Sequence, residues 1–198
     1  MNGQLSVPAA ARAAALPSLA AGLLWVVAWV HLLMAHGTSE LNEQRLTFGL
    51  TWLDSGRLAA PALLLAAVAV WMLARDSLAP GLRMAASLAI VGLAVAATGA
   101  ALGFWTQPIG SYVGASRTAG IAATGGLLAM VGSLVLAAGL VLVGVTARRA
   151  HVVPGWVAVA LGLAGVSTVP WLHESPQGVA SGVAWLVIGA FLTRPPER

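Results

Sequence analysis

The sequence has no cysteine and no lysine. Without cysteine there are no disulfides, thiolate metal sites or thiol nucleophiles. Charge of either sign is scarce: 8% of the 198 residues are charged, and all ten basic residues are arginine. A soluble domain carries about 25% charged residues and needs polar groups over much of its surface. The shortage excludes a soluble globular enzyme and a disordered chain. A formal net charge of +4 is too small for a phosphate-backbone patch, so nucleic acid is not an expected partner.

What is present is apolar: 59% of the residues are hydrophobic. A membrane helix needs about 20 such residues, because every backbone polar group must be satisfied within the hydrocarbon. Six segments approach that length: 17–37, 58–74, 81–104, 119–146, 154–172 and 176–193. Pro17, Pro154 and Pro176 stand where a first-turn proline is tolerated, and Gly37 is placed to end the first helix. The expectation is an all-α, polytopic membrane bundle of six transmembrane helices forming a single integral membrane domain over 1–198. The first apolar run is long enough to span and is expected to be retained.

Arginine placement sets the expected orientation. With a cytoplasmic N-terminus, that side holds seven arginines (Arg12, Arg75, Arg83, Arg148, Arg149, Arg194 and Arg198) against three (Arg45, Arg57 and Arg117). Four of the six acids, Glu40, Glu43, Asp54 and Glu174, fall on the other side. Both termini are therefore expected in the cytoplasm, in the cytoplasmic membrane of a prokaryote. The outer loop 38–57 reads as an interfacial helix capped by Ser39. The other reading extends helix 2 towards the chain start, with an interruption near Ser55–Gly56. That choice decides whether Asp54 and Arg57 are wet.

Small residues are abundant, with 23 glycines. Gly125, Gly132 and Gly139 are spaced by seven, which keeps them on one helix face and predicts close helix packing. The Gly-Val-Ala-Ser-Gly run around Ser181 has the form of a nucleophile motif, but no histidine follows it to act as base. Packing explains Ser181 better.

Several of the eight tryptophans fall near helix ends, as an interfacial belt requires. Trp25 and Trp29 lie nearer mid-span and share a face. His31 lies inside the first span, where ionisable groups usually face the bundle interior. The remaining polar groups gather on the outer side, among them His36, Asp54, Arg57, Trp171, His173 and Glu174. No metal-ligand signature joins them, and neither a metal nor a cofactor is expected.

Three readings fit this distribution. The first is a protein of small-molecule binding or transport, its pocket in the extracytoplasmic half between helices 1, 2, 5 and 6. Its ligand would be small and hydrophobic or amphipathic, held by Trp25, Trp29, His31, His36, Asp54, Arg57, Trp171, His173 and Glu174. The second is a membrane-embedded enzyme that protonates an isoprenoid or lipid substrate. Asp54 or Glu174 would be the acid, His173 a further candidate, and tryptophan faces would stabilise developing positive charge. The third is an accessory subunit, with a membrane-complex partner or a second copy of itself. Binding demands the fewest exactly placed residues and is the preferred expectation.

Overall fold

The computed structural model describes residues 12–35, 52–75, 77–105, 115–169 and 177–194, the side chains of 31–35, 52–55, 115–118 and 177 excepted. Among the described residues the chain forms six helices: α1 (Ala15–Ala35), α2 (Trp52–Ala74), α3 (Pro80–Trp105), α4 (Ala115–Arg149), α5 (Gly155–Val166) and α6 (Gln177–Leu192). Each packs chiefly on its neighbours in sequence, and α6 packs on α1, so the helices close a ring. Glycine contacts show opposed directions across α1–α6, α3–α4 and α4–α5. The start of α1 and the end of α6 therefore share one end of the bundle, where Leu19 lies against Gly189.

Side-chain size is distributed as lipid solvation requires. The core is dominated by alanine, including Ala62, Ala66, Ala69, Ala85, Ala89 and Ala96. Every helix also exposes large apolar side chains: Leu23, Leu64, Val91, Leu127, Val159 and Val183, one from each in turn. An apolar surface on every helix exceeds what a soluble monomer carries. Gly56–Ala74, Pro80–Trp105 and Ala119–Arg149 are long and apolar enough to cross a membrane. The sequence and structure thus fit a membrane-embedded helical protein.

The most extensive interface joins α3 to α4. A Cβ added at Gly132 would lie 2.3 Å from the Ala96 backbone nitrogen, and one at Gly99 would lie 2.3 Å from that of Ala129. At Gly139 it would lie 2.6 Å from Ala89 Cα. The two backbones meet directly along this seam. No hydrophobic effect drives helices together in lipid, so such close approach and its dispersion contacts carry the association. Gly125, Gly132 and Gly139 of α4 lie along this seam.

Several hydroxyl groups within the helices are satisfied locally. Ser18 Oγ donates to the Ala14 carbonyl at 2.7 Å, and Ser133 Oγ to that of Ala129 at 2.7 Å. Such bonds let a polar residue sit at membrane depth without an orphaned group.

Two boundaries differ from the sequence expectation. The second helix starts before the expected edge at 58: α2 begins at Trp52 and runs through Ser55 and Gly56 without the interruption expected there. Phe104 of α3 lies over Gly56, where an added Cβ would be 2.1 Å from its ring. The glycine admits that ring instead of breaking the helix. The fifth helix stops at Val166, short of the expected edge at 172. Its 12 residues span about 18 Å at 1.5 Å per residue, less than the ~30 Å hydrocarbon core. Gly165 faces Ala137 of α4, and α4 continues from there to Ala115 for about 33 Å more.

Candidate functional site

The early end of α5 has a chemical consequence. The last turn of a helix leaves carbonyls without intrahelical donors. The Leu163 carbonyl accepts from both the N–H and Oγ of Ser167, and the Gly165 carbonyl from both the N–H and Oγ1 of Thr168. The Ala164 carbonyl is taken by a neighbouring helix: Ser181 Oγ of α6 donates to it at 3.0 Å. Ser181 is fully buried. It caps α5 from across the α5–α6 interface and is committed as a donor, which accounts for it without nucleophilic chemistry.

At this level α1 contributes two indoles. The Trp25 and Trp29 rings lie 6.2 Å apart at 52°, as their four-residue spacing on one helix face allows. Trp29 lies over Gly178 in the first turn of α6, where an added Cβ would meet its ring at 2.1 Å. Trp25 is only 7% exposed. Its Nε1 is buried and has no hydrogen-bond partner among the described residues. A buried N–H without an acceptor costs about 1–3 kcal/mol, so this donor is a place where an acceptor would bind favourably.

The end of α2 and α3 remote from Arg75 and Arg83 holds a second arrangement. Arg57 is half-buried, with its Cζ 5.9 Å from the centroid of Trp105. This guanidinium–aromatic contact lies beside the Phe104–Gly56 packing. Asp54 stands on the first turn of α2, three residues before Arg57, and its side chain lies outside the described residues.

The structure therefore brings Trp25 and Trp29 together at the start of α6. It puts Arg57 on Trp105, an aromatic partner that sequence spacing did not single out. His31 is a helical position in α1, its side chain outside the described set. His36, Trp171, His173 and Glu174 also lie outside the described residues.

The opposite end of the bundle is basic. Arg12, Arg75, Arg83, Arg148, Arg149 and Arg194 all stand at or just beyond the helix ends there. Arg75 Cζ lies 5.4 Å from the Trp71 ring centroid, an amphipathic pairing suited to a membrane interface. Between Arg148 and Arg149 of α4 and the first turns of α5 lies a groove of ≈ 570 Å³.

No protein family matches the chain, and neither a curated protein nor a solved structure shows significant similarity to it.

Proposed function

We propose that the chain is a six-span integral protein of a prokaryotic cytoplasmic membrane, with both termini in the cytoplasm. In this reading it binds a small apolar or amphipathic molecule in a recess of its extracytoplasmic half. The observation that carries the reading is the buried Trp25 Nε1, a donor with no acceptor among the described residues. Two features support it. The arginine-rich end matches the side on which positive charge is retained. At the other end α5 stops well below the start of α4. Non-helical backbone at membrane depth is tolerated only where it is buried in protein or lines a cavity.

In this reading the ligand lies against the Trp25–Trp29 pair on α1, beside the first turn of α6. An aromatic wall with one fixed donor suits an uncharged ligand that offers a single oxygen acceptor. Binding of this kind also serves a transport cycle, in which short helices meeting at mid-membrane form the substrate site.

The test uses purified protein with farnesol, decanol and a short-chain naphthoquinone as probes. At least one is expected to raise the thermal midpoint and change tryptophan emission. Trp25→Phe keeps the ring face and removes Nε1. It is expected to weaken that response by about tenfold, the value of one buried hydrogen bond. No response from any probe, or an equal response in Trp25→Phe, would count against the reading.

A further inference from the structure

The groove at the basic end has the chemistry of a lipid site. Arg148, Arg149 and His151 line it, together with Val145, Val159 and Gly162. Both guanidinium side chains and the imidazole are exposed, as are Val145 and Val159. The cationic groups sit at the end of α4 and the turn after it. The apolar residues lie deeper, towards the membrane interior. One opening thus offers positive charge at interface depth and an apolar floor at acyl-chain depth.

Local structure holds the cationic rim in place. His151 adopts a left-handed conformation, φ 57°, and the Val152 N–H donates to the Ala147 carbonyl at 2.9 Å. This is the closure of a helix by a left-handed C′ residue, a position usually filled by glycine. A histidine there faces the groove. Gly155 opens the next helix. A Cβ there would lie 3.3 Å from Arg148 Cζ, so the glycine lets the guanidinium lie low across the first turn of α5. That turn contains no acidic residue.

We infer that this groove binds one anionic glycerophospholipid of the inner leaflet. The phosphate sits between Arg148 and Arg149 beside His151, and one acyl chain runs along Val145, Val159 and Gly162. Basic pockets between helices on the cytoplasmic side recognise anionic headgroups by this combination. The groove volume also falls within the range of ligand pockets. The inference rests on the membrane reading but is independent of the recess at the other end.

The test is native mass spectrometry of the full chain released from mixed micelles. Phosphatidylglycerol and phosphatidylcholine of equal chain length are the probes. The wild type is expected to retain one phosphatidylglycerol in preference to phosphatidylcholine. Each arginine near an anionic lipid is worth roughly fivefold, so Arg148→Gln with Arg149→Gln should cut that preference about 25-fold. An added Cβ at Gly162 would make only ordinary van der Waals contact, with Val141 Cγ2 at 3.7 Å. Gly162→Trp should fill the floor and reduce retention of both lipids, leaving the thermal midpoint in detergent unchanged. Equal retention of the two lipids by the wild type would overturn the inference, as would an undiminished preference in the double variant. Displacement of the lipid by millimolar inorganic phosphate would also overturn it, since the site would then be one for free anions.

Discussion

Gly132→Leu is expected to prevent assembly of the bundle. An added Cβ would lie 2.3 Å from the Ala96 backbone nitrogen and 2.8 Å from its Cα. Neither atom can move aside as a side chain could, so α3 and α4 must separate. Overpacking a well-filled core costs about 1–3 kcal/mol, occasionally more. Here the loss extends along the seam through Gly99 and Gly139, because those contacts need the same backbone separation. We expect a loss of about 3 kcal/mol or more, a large share of the ~5–15 kcal/mol that holds a typical protein folded. Gly126 is the control. It lies on the same helix and has nothing within 4 Å of an added Cβ. Gly126→Leu should change stability by no more than about 0.5 kcal/mol. Yield of monodisperse protein and thermal midpoint by size-exclusion in detergent read the difference. Equal behaviour of the two variants would mean that the seam does not hold the bundle.

Gly178→Leu is expected to open the ring at the proposed recess. The added side chain would overlap the Trp29 indole, whose Cδ2 is 2.1 Å from the Cβ position. Displacing that ring breaks its contact with Trp25 and loosens the α1–α6 closure. The cost is about 2–3 kcal/mol, and tryptophan emission should shift to the red as the indoles leave their packed positions. The clash is specific, so it can be relieved. Trp29→Ala clears the space that the leucine needs. The double variant should be less destabilised than the sum of the single variants by about 1–2 kcal/mol. Additive losses would show that Trp29 and Gly178 do not share a site.

Much of the architecture is written in local patterns. The spacing of Gly125, Gly132 and Gly139 identifies a packing face because a seven-residue repeat keeps one side of a helix constant. It does not name the partner, which is Ala89, Ala96 and Gly99 on α3. The continuity of α2 through Gly56 was hidden for the same reason. A glycine among polar residues reads as a break, and only the Phe104 ring from α3 explains why the helix continues. The end of α5 did carry a signal. Ser167 and Thr168 precede Pro170, and a proline soon after polar residues that can bond back to carbonyls marks a helix end. The apolar run continuing to Leu172 masked it. The tryptophan pair was legible from its spacing, while its packing on Gly178 and the buried donor required the third dimension.

The proposed topology puts the arginine end of the bundle in the cytoplasm and the end of α5 towards the outside. The absence of native cysteine makes thiol labelling the direct measurement. Single cysteines at Ser77, Trp105 and Ser167 are exposed in intact cells to a membrane-impermeant maleimide. Labelling is expected at Trp105→Cys and Ser167→Cys from outside, and at Ser77→Cys only after permeabilisation. Labelling of Ser77→Cys in intact cells, or protection of Ser167→Cys until the membrane is opened, would contradict that topology.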